Sequence, residues 1–438
     1  MRFWRWAVVV GLLAGCGLLP GRATPTGSPA ATRAATLAVT PGAPGATAGP
    51  DGAAGGTVPA ATPGGPATLR VWLPPEFTPD QDTPGGRLLA EQIQAFESAF
   101  PGTAVEIRTK AASGGGGLLA ALTAAASAAP AAMPDVIALR RDDLLAAVAA
   151  GLVTPPEPLA PIALLNDFYP FAQAMGKVNG TWQGLPFAAD ARVMAYLTTV
   201  YPSPPLRWDD LLTGTLVIPA AEPSGLTLLT IYLAQGGALQ DAAGQPLLDV
   251  DVLARTLALF QGLQADGTLR QSTVDYSDPA ETWDVFRQRR ANLAVTSAHY
   301  FLAEYSRLDG ASATLLPTGG EAPLALVEGW SWVLVNRPAG NPALAAQLEG
   351  WLLRPEAHAA WTEAANVLPT RAASLARWQE ARLGPIVSDV VAHAQLQPPA
   401  AVLSLVGPAL RQALADVLAG RATPFAAATL AASTVNQP

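Results

Sequence analysis

The sequence predicts an α/β fold arranged as two compact lobes, and three observations lead to this prediction. The chain has 438 residues, more than one hydrophobic core usually organises, so two lobes are expected. Half of the residues are apolar and 14% are charged, which supplies a sizeable core and excludes global disorder. Short apolar runs alternate with amphipathic stretches from residue 69 onward, a pattern typical of sheets with helices on both faces.

The first alternation shows this pattern most clearly. Residues 69–73 are a short apolar run closed by Pro74 and Pro75, which predicts a strand. Apolar residues then follow Leu89 at spacings of four, three and four, which predicts one buried helix face. Because strand, helix and strand follow in this order, we expect a parallel sheet. Later segments of the same kind are strands at residues 105–107, 134–139, 291–296 and 324–335, and helices at 283–290 and from Pro355 onward.

The charge balance excludes nucleic acid as a partner. The formal net charge is −8, and removal of an N-terminal signal carrying Arg2 and Arg5 makes it −10 (−8 minus 2). Binding to a phosphate backbone needs clustered lysine and arginine. The only lysines are Lys110 and Lys177, and no basic stripe is visible.

The N-terminus has the features of an export signal. Arg2 and Arg5 precede an apolar run at residues 7–13, which is too short to span a membrane. The run ends in LAGC at residues 13–16, and Cys16 is the only cysteine, so a disulfide within the chain is excluded. This ending resembles the lipobox of bacterial lipoproteins. The resemblance implies that residues 1–15 are removed and that Cys16 carries a diacylglycerol; the alternative is an ordinary secretory signal that contains a cysteine.

Residues 16–67 are predicted to be the lipidated cysteine and a disordered linker. The segment 17–67 contains nine Pro, eleven Gly and eight Thr, with no aromatic residue and three charges. A segment with so little apolar bulk cannot offset the entropy lost on ordering. Because two acyl chains anchor a protein stably, we expect the folded part to be tethered at the outer face of the cytoplasmic membrane.

Several short motifs recur in an order known from one family. They are FESAFPG (96–102), PDV (134–136), AGL (150–152), VNGTWQGLPF (178–187), RWDDLL (207–212), LLP (315–317), EGWS (328–331) and VLPTR (367–371). Their order across residues 68 to about 430 resembles family 1 extracellular solute-binding proteins of ABC transporters, the group that includes the maltose-type proteins.

The resemblance implies a two-lobed, type II periplasmic-binding-protein-like fold that closes on its ligand about a hinge of several chain crossings. Lobe 1 would comprise residues 68–190 and 315–352, and lobe 2 residues 191–314 and 353–430. The crossings would lie near 188–196, 313–317 and 352–355. The implied partners are a small solute, a sugar above all, and an ABC transporter permease, with the protein acting as a monomer and without a cofactor or a metal.

Candidate ligand-binding residues follow from the resemblance and from their positions. Tyr300 follows the strand before it at the place where maltose-type relatives carry a stacking Trp, although a core Tyr is the alternative. Its neighbour His299 is either solvated or a hydrogen-bond partner. Asp190 lies at the first crossing, where relatives place an acidic residue that binds hydroxyls, although a salt-bridged loop residue is the alternative.

The remaining candidates lie near strand ends. Trp330 and Trp332 are two apart on a predicted strand and so point to one side. Trp330 matches a position in the family that often faces the cleft, although a core Trp is the alternative, and Trp332 is more typical of a core residue. Glu76 follows the first strand, at the carboxyl end of the sheet. Arg371 either binds ligand or only fastens the chain.

One segment departs from the maltose-type pattern. Relatives often carry aromatic residues near the C-terminal helices, but residues 398–410 here contain none. This favours a smaller or less sugar-like ligand over an extended oligosaccharide.

A secreted hydrolase is the rival class of protein. The sequence contains neither a G-x-S-x-G elbow nor an H-E-x-x-H motif. The three histidines, His299, His358 and His393, are far apart in sequence. We therefore expect no enzyme and no catalytic residue, although a glycoside hydrolase needs only two carboxylates. A sensor or adhesion protein on the same fold is the other alternative.

We expect Cys16 to carry the lipid and the mature chain to begin there. Mass spectrometry of membrane-extracted protein should show a diacylglyceryl adduct on Cys16, because only the thiol of this residue can be alkylated at the cleavage point. A Cys16→Ser variant should lack the adduct. Mature protein that retains residues 1–15 without lipid would contradict the prediction.

Overall fold

The computed structural model describes residues 67–79, 82–319 and 323–436, which belong to one compact unit, Pro63–Pro438. The predicted signal peptide, Cys16 and the linker up to residue 66 lie outside the described residues. Ala67, which we assigned to the linker, begins the first strand.

The strands among the described residues form one large sheet and one small hairpin. The large sheet has the order β2-β1-β3-β10-β6-β8-β7, with β11 beside β10 and β9 beside β6, whereas β4 pairs with β5. Their bounds are β1 (Ala67–Leu73), β2 (Thr103–Thr109), β3 (Val136–Arg140), β4 (Lys177–Val178), β5 (Thr181–Trp182), β6 (Leu185–Leu197), β7 (Leu216–Val217), β8 (Leu293–Ser297), β9 (Ala311–Thr314), β10 (Ala325–Leu334) and β11 (Ala394–Leu396).

Helices cover the sheet, and local signals in the sequence fix several of their starts. The Thr83 side chain caps the first helix, with Pro84 at its first position, and Asp278 and Glu281 form a capping box on the eighth. The helices are α1 (Pro84–Ala99), α2 (Leu118–Ala128), α3 (Arg141–Ala149), α4 (Ile162–Leu165), α5 (Pro170–Gly176), α6 (Leu226–Ala234), α7 (Val250–Ala265), α8 (Pro279–Arg287), α9 (Ala298–Glu304), α10 (Pro342–Leu352), α11 (Pro355–Ala364), α12 (Ala372–Leu375), α13 (Leu383–Ala392), α14 (Ala400–Leu418) and α15 (Pro424–Val435).

The strand β6 divides the large sheet into two halves. Its residues 185–191 pair with β10, and its residues 192–197 pair with β8 and β9. We call β1, β2, β3, β10, β11 and residues 185–191 the first half-sheet, and β7, β8, β9 and residues 192–197 the second half-sheet. A single strand thus crosses between the two half-sheets, between residues 191 and 192.

The sheet is mixed, which corrects the expectation of a parallel sheet. β1 runs parallel to both β2 and β3, as the alternation of strand and helix predicted. β10, however, is antiparallel to β3 and to β6, and β6 is antiparallel to β8. The physical reason is that β10 enters the first half-sheet from the second half-sheet, so the chain arrives in the opposite direction.

The buried apolar residues form two clusters, as the length of the chain predicted. The first surrounds the first half-sheet and extends to α8 and α9; Phe96 and Ile137 are among its fully buried members. The second is built from α6, α7, α14 and α15 and includes Tyr232, Phe260 and Leu410. The helix α14 is long and apolar enough to cross a membrane by length and composition, but its buried face packs on α7 and α15 as a core helix does.

We predicted the third crossing near residues 352–355, but the chain does not reach the second half-sheet there. The helix α11 returns to α1, where Gln92 Nε2 donates to the Ala357 carbonyl at 2.8 Å. The connection from α10 is only two residues long, and Pro355 starts α11 at once, so the chain turns back on the first half-sheet. The chain reaches the second half-sheet later, where α13 contacts β9. The C-terminal helix also extends past residue 430, to Val435.

His358 joins α11 to β6 and α12 and should make stability depend on pH. The ring is fully buried, with Nε2 2.7 Å from the Phe187 carbonyl oxygen and Nδ1 2.8 Å from Ser374 Oγ, and burial lowers its pKa to about 4. The unfolded chain takes up a proton near pH 6.5, but the folded chain does so only near its lowered pKa. The free energy of unfolding should therefore fall as pH falls from about 6.5 to about 4, by up to about 3 kcal/mol.

Urea unfolding between these pH values measures this effect. His358→Gln should lower stability near pH 7 and flatten the pH dependence. His393→Gln is the matched control, because the His393 side chain is 36% exposed and not buried like that of His358, and it should keep the wild-type slope. An unchanged slope in His358→Gln would show that another group titrates.

Candidate functional site

A cavity of about 350 Å³ lies where β6 passes from the first half-sheet to the second. Five of the six residues predicted to bind ligand line it, namely Glu76, Asp190, His299, Tyr300 and Trp330. The other lining residues are Phe77, Arg140, Ala188, Ala189, Glu328, Gly329, Ala365 and Val367. The first half-sheet and α9, the helix that follows β8, therefore contribute to one concave site, the usual form of a small-molecule site.

Strand register produces the floor of this cavity. β10 lies between β3 and β6 and places Trp330 opposite Arg140 and Glu328 opposite Asp190. Residues opposite each other on neighbouring strands share a face, and so do residues two apart on one strand. These four side chains therefore lie on one face of the sheet, the face towards the cavity.

Asp190 is held in place by the second half-sheet. Its Oδ2 accepts a hydrogen bond from Ser297 Oγ at 2.6 Å, and its Oδ1 accepts one from the backbone N–H of His299 at 3.1 Å. Ser297 ends β8, and its side chain caps α9. The carboxylate is thus oriented by the protein, and its remaining lone pairs are available to a ligand.

His299 and Tyr300 lie in the first turn of α9, on the side of the second half-sheet. His299 is exposed, and its Nδ1 is 3.1 Å from the Asn366 carbonyl oxygen, so it is a hydrogen-bond partner across the cavity edge. Burial raises the pKa of Tyr300, and the carboxylates of Asp278 and Asp190 raise it further. Its phenol therefore stays protonated at neutral pH and can donate a hydrogen bond.

A smaller cavity of about 200 Å³ adjoins the first and shares Asp190, His299 and Tyr300 with it. Arg192, Asp278 and Ser297 complete its polar lining. Arg192 is already paired with the buried Glu222, at 3.2 Å. Among the described residues, no group of three or more His, Cys, Asp or Glu could hold a metal ion.

Trp330 lines the cavity but is only 5% exposed. Phe77 meets it edge to face, with ring centroids 5.9 Å apart, and the Arg140 guanidinium lies 4.8 Å from its ring centroid. Trp332 stacks on Phe187 at 4.1 Å and belongs to the core, as its weaker sequence signal favoured. Trp330 thus lines the cavity with the Arg140 guanidinium over its ring. A ligand can stack on that face of the ring only if Arg140 moves.

Sequence reasoning missed three prominent lining residues, Phe77, Arg140 and Glu328. Arg140 ends β3, so the rule that selected Glu76 at the end of the first strand could have selected it as well. Phe77 follows Glu76 in a short 3-10 helix, Pro75–Phe77. Glu328 was part of a recognised motif, but its register opposite Asp190 was not readable from the sequence.

Arg371 lies outside the cavity, which corrects its inclusion among the site residues. It is 5% exposed, and its guanidinium pairs with Asp167 at 2.8 Å and donates to the Leu353 carbonyl. The backbone N–H of Ala372 also bonds the Asp167 carbonyl. Arg371 therefore fastens the chain, the second of the two roles that the sequence left open.

Comparison with known proteins agrees with this architecture. Residues 91–385, more than half of the chain, match the model of a bacterial extracellular solute-binding protein family. No curated protein sequence matches the chain.

Several solved structures are similar to it. They include the sugar-binding protein MalE from the phytopathogen Xanthomonas citri (TM-score 0.69, 17% identity, 84% of this chain and 96% of that chain). The cyclic α-maltosyl-1,6-maltose binding protein from Arthrobacter globiformis has a TM-score of 0.68 and 19% identity, over 85% of this chain and 98% of that chain. Maltose-bound MalE3 of T. maritima has a TM-score of 0.64 and 18% identity, over 84% and 99%.

Identities this low establish a shared fold, that of two-lobed binding proteins. The family match shows more than the fold, because it covers β2 to β10, including the crossing strand β6, and most of the residues that line the cavity. The chain belongs to the bacterial extracellular solute-binding proteins, a family that works outside the cytoplasm.

Proposed function

We propose that the protein is the substrate-binding lipoprotein of an ABC importer and that its cavity binds a carbohydrate. Family membership supports a solute-binding role, and the structural neighbours include proteins named for maltose or other sugars. The lipid on Cys16 would hold the protein at the membrane, and the permease would receive the ligand there. On this proposal the protein binds its ligand without chemical change.

The composition of the cavity is the observation that carries the proposal. Sugars present flat CH faces surrounded by hydroxyl groups, so sugar sites combine aromatic rings with carboxylates and other polar groups. Here Tyr300, Trp330 and Phe77 supply rings, and Glu76, Asp190 and Glu328 supply carboxylates. A cavity of about 350 Å³ is at the lower end of the range for small-molecule sites, which fits a ligand of one or two rings.

The origin of the lining residues suggests how the ligand is held. Tyr300 and His299 come from α9, Glu76 and Trp330 come from the first half-sheet, and Asp190 lies in the strand between them. Hinged domains commonly close around ligands bound at such a junction. A ligand that contacts all of these residues would stabilise the closed arrangement.

A ligand screen by thermal unfolding tests the proposal. Purified protein is heated with mono-, di- and oligosaccharides, and with amino acids and peptides as non-sugar controls. A sugar at about 100 times its dissociation constant should add about 2.7 kcal/mol to the free energy of unfolding, and thus raise the melting temperature. A shift with amino acids or peptides alone would reject the carbohydrate assignment.

Substitutions at Tyr300 and Trp330 should separate binding from folding. Tyr300→Ala should weaken binding by about 1–3 kcal/mol, with little change in stability, since the side chain is only half-buried. Trp330→Ala should also destabilise the protein by about 3–5 kcal/mol, because the ring is part of the core. Calorimetric titration and urea unfolding measure the two effects.

Tyr276→Ala is the matched control for Tyr300→Ala. Tyr276 is also half-buried, in the same half of the molecule, but it is not among the residues that line either cavity. This variant should bind the ligand normally. Normal binding by Tyr300→Ala as well would place the ligand elsewhere.

A further inference from the structure

We propose that the ion pair between Arg140 and Glu328 is a wall that ends the ligand cavity and limits the length of the bound carbohydrate. The proposal rests on the proposed function, because it concerns which carbohydrates the same cavity accepts. It assigns a role in specificity to two residues that the sequence did not single out.

Two cavities meet at this ion pair. The ligand cavity of about 350 Å³ lies on one side, and a second cavity of about 440 Å³ lies on the other. Their linings share three residues, Arg140, Glu328 and Gly329. The space available to a ligand is therefore one groove, divided at the ion pair.

Only two side chains make the division. Gly329 has none, and a Cβ atom there would lie 2.2 Å from the Ala188 carbonyl oxygen, so this position stays glycine. The side chains of Arg140 and Glu328 meet beside this glycine, with Arg140 Nη1 3.2 Å from Glu328 Oε2. Removing both side chains would join the two cavities without altering the backbone.

Neighbouring groups hold the ion pair closed. Gln397 Nε2 donates to Glu328 Oε2 at 3.4 Å, and the Arg140 guanidinium lies over the Trp330 ring. The two paired side chains are 46% and 41% exposed, so they add little to stability. Their loss should change the shape of the groove and not the fold.

The second cavity is poorly suited to a sugar ring. Its lining among the described residues has no aromatic side chain; it consists of Ala112, Ser113, Arg140, Arg141, Asp142, Asp143, Leu145, Glu328, Gly329, Leu396, Gln397, Pro398, Pro399 and Ala400. Asp142 Oδ2 also accepts the backbone N–H of Ala400 at 2.7 Å, at the start of α14. A short ligand that leaves the Trp330 face to Arg140 can end at the ion pair, whereas a longer one must displace the pair.

A chain-length series tests the wall. Calorimetric titration compares maltose, maltotriose and maltotetraose on the wild type and on the double variant Arg140→Ala/Glu328→Ala. The wild type should bind maltose about fivefold more tightly than maltotetraose, a difference of about 1 kcal/mol, which is the most that displacing an exposed ion pair costs. The double variant should bind the two ligands with nearly equal affinity, because the longer chain can enter the second cavity.

Two further variants make the test specific. Arg108→Ala/Glu106→Ala removes a remote ion pair of similar exposure, 47% and 41%, and should keep the wild-type ratio. Arg140→Glu/Glu328→Arg restores an ion pair in the opposite sense and should restore the preference for maltose. Thermal unfolding without ligand checks that every variant is folded.

The outcomes separate this inference from the proposed function. Equal affinity of the wild type for short and long chains would contradict the proposal that the ion pair limits ligand length, but it would leave the carbohydrate assignment intact. An unchanged ratio in the double variant would also contradict that proposal. If the screen identifies another sugar, the same series is run with its oligomers; if no carbohydrate binds, the proposed function and the wall are both rejected.

Discussion

The structure depends on one continuous strand that belongs to two half-sheets. β6 pairs with β10 through its first residues and with β8 and β9 through its last. The chain cannot separate the half-sheets without breaking one of these ladders, because the same backbone serves both. Asp190 lies just before the pairing changes, so it is the position in β6 that a ligand can reach from either side.

The aromatic residues that line the ligand cavity also belong to the hydrophobic core. Phe77 contacts Phe187, Trp361 and Trp330 edge to face, with centroids 5.3, 5.5 and 5.9 Å apart. Rings packed in this way keep one orientation. The conformational entropy of these rings is therefore lost during folding and not during binding, which favours affinity. Tyr300, half-buried on α9, is the ring with more freedom to adjust.

Much of the fold could be predicted because it depends on local patterns, and five of the six residues predicted for the site line one cavity, while their role in binding stays a prediction. The apolar strand at residues 69–73 and the stripe that begins at Leu89 are local signals. Glu76 and Tyr300 were selected because each follows a predicted strand, Asp190 because it lies at the predicted first crossing, and Trp330 because it lies in the motif at 328–331. The return of α11 to α1 could not be predicted, since it depends on tertiary contacts such as that between Gln92 and Ala357. Arg371 was misplaced for the same reason, because its partner Asp167 is remote in sequence. That Glu328 lies opposite Asp190 could not be predicted either, because it depends on the register between β10 and β6.

The charges around the cavities bear on which ligands can enter. The arginines that line the ligand cavity and the smaller cavity beside it are already paired, Arg140 with Glu328 and Arg192 with Glu222. Glu76, Asp190 and Asp278 add further carboxylates to the same surfaces. Carboxylates only accept hydrogen bonds, and they repel anions that come close to them. Hydroxyl groups are neutral donors that match such acceptors, whereas a phosphate or carboxylate on the ligand would meet repulsion that the paired arginines do not offset. The electrostatics of the site therefore support an uncharged carbohydrate over a phosphorylated or acidic one.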